Sequence, residues 1–430
     1  MRNRLNAYVL PRGIAMKKFM KLLISMLMLP VLGLTAASCG GGNGKSKDDK
    51  TPSSNLPNYV KPEEAAYAFG AIETVTPFYT GNVIYNESVL LIKGDDGKAV
   101  GKLQFKPVRI LSVRDYTLNH EYDLSLFNVS GRTLTVNDPD RVTYLTEKNL
   151  QGLEMPEGFY LKNSVKEMTN TLTDCVLMAG AVYTESPFYY GKQIYVSYVY
   201  DTKDLNTSLY ATYKTSVLPK TQAKLAFGDS LKICATGDSV MEGCSSSKKF
   251  NHEPFMDNFM MLTVQELKRA YNNENITLSN QAVGGMASGW GAEDAQTLKL
   301  ANEHPDLLYI HFGINDLGSQ NSAESYYINI KKIIDDVHGV NPDCEVVLIK
   351  AFNANPDIYD QAGFERYWAK LDQLASENAN VYTLDMFSQS LALIAAKDYY
   401  SVTGNGINHV NDFSARLYAM NMIAQLVKYK

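Results

Sequence analysis

Beyond residue 230, short apolar runs typical of buried strands alternate with longer runs whose apolar residues recur at helical spacing. The strand-like runs cover residues 231–235, 307–312, 346–349 and 381–384, and the helical runs cover 255–272, 323–338, 364–377 and 413–428. This alternation predicts a parallel sheet covered by helices on both faces and joined by right-handed crossovers. In such a sheet we expect functional groups at the carboxyl ends of the strands.

The first half of the chain has a different pattern. Between about residues 59 and 213, runs rich in Tyr, Val, Thr and Leu, such as 88–92 and 193–200, are broken by turns such as 94–97 and 137–140. This pattern is typical of an all-β sandwich. A total of 430 residues suits two domains. We therefore expect a leader (1–38), a tether (39–57), a β-sandwich domain (58–222) and an α/β domain (223–430), with residues 216–227 as the link.

The leader has the order of a secretory signal. Basic residues at 17, 18 and 21 precede an apolar stretch at 22–34, and small residues lead to Cys39. Cys39 resembles the lipidated cysteine of a bacterial lipoprotein, and the glycines after it favour a flexible tether. A permanent transmembrane helix is the weaker alternative, because it needs about 20 apolar residues. We expect a lipid-anchored protein of the cell envelope, on the outer membrane, at the surface or on the periplasmic face.

Charge and cysteine content narrow the function classes. Six of the 41 basic residues and no acidic residue lie within 1–38, so the remainder has 35 basic against 46 acidic residues. A nucleic-acid partner is therefore not expected. No Cys-x-x-Cys pair or Cys/His cluster has zinc spacing, so we expect no metal. Cys234 and Cys344 lie in strand-like runs and are expected to be buried thiols, and the sequence does not assign any disulfide.

Four motifs come after strand-like runs or precede the last helix, and together they carry the candidate chemistry. They are Gly-Asp-Ser at 237–239, Gly-Gly within 280–288, Gly-Ile-Asn-Asp at 313–316, and Asn-His within 404–412. Each motif alone is weak, because these residues are also common in turns and caps. A second Gly-Asp-Ser at 228–230 is interpreted as an ordinary turn before a strand.

The ordered set resembles the SGNH/GDSL hydrolase superfamily over about residues 224–430. The resemblance implies an SGNH-type three-layer α/β/α fold and a serine enzyme that hydrolyses ester bonds without a cofactor. It makes Ser239 the nucleophile and His409 the general base, which accepts the proton of the serine hydroxyl. It also assigns the oxyanion hole to the backbone N–H groups of Ser239 and Gly285 and to the side-chain amide of Asn315.

One departure from the superfamily concerns the acid that orients the histidine. The superfamily usually has Asp three residues before the histidine, and this chain has Gly406 there. Asn405, Asp412 or a backbone carbonyl are the candidates for that role. The acid fixes the ring's tautomer and geometry without reacting, so activity does not require it at that position. Trp290 is either a substrate contact or a core residue.

The order of a β-sandwich followed by an SGNH domain resembles certain carbohydrate esterases. We therefore expect an esterase that removes acyl groups, chiefly acetyl, from an oligo- or polysaccharide outside the cytoplasm. A lipid or thioester hydrolase on the same fold is the alternative within enzymes. A glycan-binding lipoprotein without turnover is the alternative from another class, and it is motivated by Gly406 and by the Tyr-rich first half.

Overall fold

The computed structural model of the protein describes residues 56–67 and 74–429. Cys39 and the predicted leader lie outside these residues, as does most of the predicted tether. Within the described ranges, no helix is both long and apolar enough to cross a membrane.

The first half is rich in β-structure, as predicted. Its strands are β1 (Val83–Leu90), β2 (Ile92–Lys93), β3 (Ala99–Lys102), β4 (Pro107–Asp115), β5 (His120–Glu121), β6 (Phe127–Ser130), β7 (Thr133–Val136), β8 (Leu145–Thr146), β9 (Tyr160–Lys162), β10 (Asp174–Met178), β11 (Ala181–Thr184) and β12 (Gln193–Tyr200), and one short helix, α1 (Glu147–Leu150), comes directly after β8. The strands form three sheets, ordered β1-β12-β4-β5, β6-β7-β3-β2-β8 and β11-β10-β9. Strands β10 and β11 pair as an antiparallel hairpin.

Three buried clusters contain residues of these sheets, and two of them bear on the site. Val89 of β1, Val113 of β4 and Leu134 of β7 belong to one cluster, so side chains from the first two sheets are buried together. Val182 of β11 lies in a second cluster with the neighbouring Tyr189. This second cluster fixes the end of β11, which the functional site uses.

The second half contains the predicted parallel sheet. Its strands are β13 (Leu231–Gly237), β14 (Ile276–Asn280), β15 (Leu307–His311), β16 (Glu345–Lys350) and β17 (Val381–Asp385). Every neighbouring pair is parallel, in the order β14-β13-β15-β16-β17. The chain order reverses between β13 and β15, and ligands bind at the carboxyl ends of strands at such a switch point.

Helices cover both faces of this sheet. They are α2 (Pro219–Phe227), α3 (Ser239–Glu242), α4 (Phe259–Tyr271), α5 (Ser288–Gly291), α6 (Asp294–Ala301), α7 (Ile314–Gly318), α8 (Ala323–Val340), α9 (Gln361–Glu377), α10 (Met386–Ala396) and α11 (Asp412–Leu426). Helix α4 packs against α11, while α8 packs against α6 and α9. From β13 the chain crosses toward β14 in one direction, and it later crosses toward β17 in the other. Right-handed crossovers in opposite directions lie on opposite faces, so α4 and α11 cover one face while α6, α8 and α9 cover the other. The α/β/α prediction is confirmed.

The expected link contains a helix. Its residues 219–227 form helix α2, and Pro219 is tolerated in the first turn because no intrahelical N–H is needed there. The helix ends at Gly228, whose left-handed φ of 74° caps it. The first Gly-Asp-Ser triplet is therefore a helix end followed by a strand.

Buried polar contacts fasten the sheet-rich half to the parallel-sheet half. Lys397, just after α10, forms a fully buried ion pair of 2.5 Å with Glu87 of β1. The guanidinium of Arg416 in α11 donates to the carbonyl oxygens of Tyr85 and Asn86 at 2.8 and 2.7 Å. Buried charges left without a partner are strongly destabilising, so these contacts require the two halves to meet in one arrangement.

Candidate active site

Ser239 lies at the first turn of α3, directly after β13. Asp238 caps this helix through a 3.0 Å hydrogen bond that its carboxylate accepts from the Val240 N–H. The same carboxylate contacts Nδ1 of the buried His311 at 3.1 Å. These contacts place Asp238 in the turn before α3 and His311 in the core. Together they fix the backbone that presents the Ser239 hydroxyl.

His409 contacts this hydroxyl. Its Nε2 lies 2.9 Å from Ser239 Oγ, and each residue is only 7% exposed. The loop before α11 is held by Asn405, whose side-chain oxygen accepts from the backbone N–H groups of Ile407, Asn408 and His409 at 2.9–3.0 Å. The structure therefore brings together the predicted nucleophile and base, at the distance that proton transfer requires.

The loop after β14, which contains Gly284 and Gly285, also lies close to Ser239. A methyl group added at Gly284 would lie 3.6 Å from Ser239 Cβ. The Gly284 N–H donates to Glu242 Oε2 at 2.6 Å, which ties the loop to helix α3. Gly285 has a left-handed φ of 78°, a conformation that favours glycine. No described residue accepts a hydrogen bond from the backbone N–H of Ser239 or of Gly285.

Asn315 joins the same loop from α7. Its side-chain amide donates to the carbonyl of Met286 at 3.0 Å. Asp316 supports the arrangement, since its carboxylate accepts from the backbone and hydroxyl of Ser288 at 3.0 and 2.6 Å. The residues predicted for the oxyanion hole thus converge on one loop beside the nucleophile.

The partner of the other ring nitrogen was not predicted. Glu185, directly after β11 in the sheet-rich half, places Oε1 3.1 Å from His409 Nδ1. Ser245 Oγ lies 3.3 Å from the same nitrogen. No local sequence pattern distinguishes Glu185, because only the packing of β11 against the histidine loop brings it to the ring.

The expectation that Asn405 or Asp412 faces the ring is therefore corrected. Asn405 holds the backbone of the histidine loop instead. Asp412 is buried at the start of α11 and accepts from the Ser247 N–H at 3.0 Å. Burial raises the pKa of Asp412 to about 6 against the opposing hydrogen bond from Ser247 and the charge of Arg416. It contributes to the packing of this helix.

The electrostatics of Glu185 favour its charged form. Burial raises its pKa, but attraction to His409 and hydrogen bonds from His409, Tyr183 and Asn405 outweigh burial, so the net pKa lies below the usual value. Tyr183 OH donates to Glu185 Oε1 at 2.8 Å. A carboxylate supported in this way remains ionised at neutral pH beside the ring.

The remaining predicted residues form no hydrogen bond with Ser239 or His409, or lie outside the described ranges. Trp290 is half-buried in α5 and packs against the core. Cys234 and Cys344 are buried free thiols, and Cys175 and Cys244 are also unpaired. Within residues 56–67 and 74–429, no group of three His, Cys, Asp or Glu could hold a metal ion. Cys39 is not described.

Residues 235–413 match the model of the GDSL-like Lipase/Acylhydrolase family. No curated protein sequence matches the chain. The match and the geometry identify the second half as a GDSL/SGNH hydrolase domain, which hydrolyses ester bonds.

Several solved structures share parts of the fold. A two-domain esterase (CEX) active on acetylated mannans is 19% identical with a TM-score of 0.38, covering 49% of this chain and 53% of that chain. A carbohydrate esterase of family 3 from Talaromyces cellulolyticus is 14% identical with a TM-score of 0.36, covering 45% and 94%. An acetyl-xylooligosaccharide esterase from Geobacillus Stearmophilus is 15% identical with a TM-score of 0.39, covering 46% and 94%. At these TM-scores the likeness carries no inference about substrate.

Proposed function

We propose that this protein is a serine esterase that removes acyl groups, chiefly acetyl, from carbohydrates outside the cytoplasm. The observation that carries the serine chemistry is the 2.9 Å contact between Ser239 Oγ and His409 Nε2, beside a loop in which the Gly285 N–H has no acceptor among the described residues. A serine hydroxyl is a poor nucleophile until a neighbouring base accepts its proton, and this contact provides that base.

The reaction proceeds in two displacement steps. Ser239 Oγ attacks the ester carbonyl carbon while its proton passes to His409 Nε2. The N–H groups of Ser239 and Gly285 and the amide of Asn315 stabilise the oxyanion that forms. The sugar hydroxyl leaves with the proton from His409. Water, deprotonated by His409, then attacks the acyl-serine and releases the carboxylic acid and free Ser239.

The polar surroundings of the nucleophile support a small acyl group on a polar alcohol. The amide of Asn315 is partly exposed and reaches the loop beside the nucleophile. A long acyl chain laid over this amide would remove its water without replacing the hydrogen bonds, which costs free energy. Sugar hydroxyls can replace those hydrogen bonds.

A substrate panel tests the proposal. Acetate release is measured from acetylated plant and host glycans, and rates are compared for 4-nitrophenyl esters of increasing chain length. We expect acetate from at least one glycan, a preference for the acetyl ester, and loss of both activities in Ser239→Ala. A preference for long-chain esters or thioesters would identify a lipid or thioester hydrolase. Oligosaccharide binding without turnover would identify a glycan-binding protein.

Lipid attachment at Cys39 completes the proposal, and its support is the sequence of the leader. The test is labelling of cells with an alkyne-tagged fatty acid, followed by fractionation. The wild-type protein is expected to carry the label and to stay with the membrane fraction, whereas Cys39→Ser loses both. Label on Cys39→Ser, or unlabelled wild-type protein, would contradict attachment at this residue.

A further inference from the structure

We propose that Glu185 is the acid that positions His409, so that the sheet-rich half of the chain completes the active site. This inference rests on the proposed serine esterase chemistry but does not depend on which sugar is the substrate. It assigns to the first half a role in the reaction besides any role in binding.

The contacts place Glu185 on the nitrogen opposite the nucleophile. Oε1 lies 3.1 Å from His409 Nδ1, and Nε2 of the same ring lies 2.9 Å from Ser239 Oγ. A carboxylate at Nδ1 holds the proton on that nitrogen and leaves Nε2 free to accept the serine proton. Glu185 remains ionised throughout and stabilises the imidazolium that forms after the transfer.

The loop geometry explains why the acid is not at position 406. Gly406 has a φ of 82°, and a methyl group added there would lie well under 3.0 Å from the carbonyl oxygen of Val182 and the hydroxyl of Tyr189. The end of β11 therefore occupies the space that an aspartate side chain would need. The Thr184 N–H also donates to the Asn405 carbonyl at 3.4 Å, so the strand end and the loop are joined.

The packing of β11 against the histidine loop also places Glu185 beside the ring. It is the residue directly after Thr184, where β11 ends beside the loop. Ser245 Oγ lies 3.3 Å from Nδ1 and 3.5 Å from Glu185 Oε2, so it spans the carboxylate and the ring without supplying a charge. The Tyr183 hydroxyl holds the carboxylate in place from the same strand.

Steady-state kinetics with 4-nitrophenyl acetate test the role. In Glu185→Gln the amide can donate to Nδ1, which favours the tautomer that carries its proton on Nε2. We expect kcat to fall by about 10³–10⁴-fold with little change in KM. Glu185→Asp should recover part of the rate.

Asp174→Asn is the matched control. Asp174 lies in the adjacent strand β10 and holds a turn by accepting from the N–H groups of Thr169 and Asn170 at 2.9 and 3.0 Å. This variant perturbs the same sheet without touching the ring. We expect its kcat to match that of the wild type. A comparable loss of kcat in Asp174→Asn would show a structural role, and a wild-type kcat in Glu185→Gln would show no role; either result would overturn the inference.

A second readout does not need turnover. Nitrogen-15 NMR of the His409 ring should show the proton on Nδ1 in the wild type and a changed tautomer in Glu185→Gln. An unchanged tautomer would refute the role of Glu185 even if no ester is hydrolysed. Failure of the esterase proposal is therefore distinguishable from failure of this inference.

Discussion

Gly406→Ala tests how closely the end of β11 packs against the histidine loop. The substitution adds one methyl group at a residue whose φ is 82°, with Val182 O and Tyr189 OH in the way. Gly180→Ala is the matched control. Gly180 lies in the turn between β10 and β11 with a φ of 92°, and no heavy atom lies within 4 Å of the added methyl.

Both variants lose stability through backbone strain, but only one of them also loses stability through overpacking. The left-handed conformation costs an alanine about 1–2 kcal/mol at either position. Only at position 406 must neighbouring atoms also move, and overpacking typically costs about 1–3 kcal/mol. We therefore expect Gly406→Ala to be less stable than Gly180→Ala by about 1–3 kcal/mol.

Urea unfolding of both full-length variants gives this difference, and the kinetics supply a second prediction. If β11 retreats from the added methyl, Glu185 retreats from His409, so kcat should fall in Gly406→Ala and stay near wild type in Gly180→Ala. Equal stability of the two variants within about 0.5 kcal/mol would refute the close packing, since their backbone strain is comparable.

Three further substitutions test the oxyanion hole, the buried ion pair and the buried carboxyl of α11. Asn315→Ala should lower kcat by about 10²–10³-fold at unchanged urea midpoint, since it removes one oxyanion donor. Lys397→Met should destabilise the fold by about 3–5 kcal/mol in urea, because the buried Glu87 loses the counter-charge of its ion pair, and adding Glu87→Gln should recover much of the loss. Asp412→Asn tests the raised pKa of about 6. Between about pH 4 and pH 6 the Asp412 carboxyl is protonated in the native state and ionised in the unfolded chain. The stability of the wild type therefore falls as pH rises through this range. The variant should be more stable above pH 6 by up to about 3 kcal/mol and show no gain at pH 4. A gain that does not depend on pH, full activity of Asn315→Ala, or wild-type stability of Lys397→Met would each contradict the corresponding prediction.

The sequence was sufficient for the parts of the fold and site that depend on local pattern. The alternation of strands and helices predicts the parallel sheet, and motifs at the strand ends predict where Ser239, Gly285 and Asn315 lie. His409 is predicted from the resemblance of its motif to that of the SGNH/GDSL superfamily. The strand-end residues lie near one another because the carboxyl ends of parallel strands meet at one edge of the sheet.

Features that depend on tertiary packing could not be predicted. Glu185 directly follows a strand of another sheet, and only the docking of β11 brings it to the ring. Gly406 signals that the usual acid is absent, but the residue that takes the role cannot be identified without the packing around it. Pro219 is compatible either with an irregular link or with the first turn of a helix. Which of the two forms depends on whether residues 220–227 continue as a helix. With Glu185 in place, Gly406 no longer favours a protein without turnover.

Detection of the acyl-enzyme tests the central claim, that Ser239 is the nucleophile, most directly. The protein is mixed with 4-nitrophenyl acetate, quenched in acid within the first turnover, digested and examined by mass spectrometry. We predict one acetyl group on the peptide that contains Ser239, a matching burst of 4-nitrophenolate, and neither signal in Ser239→Ala. An acetyl group on another residue, or wild-type turnover in Ser239→Ala, would contradict the claim.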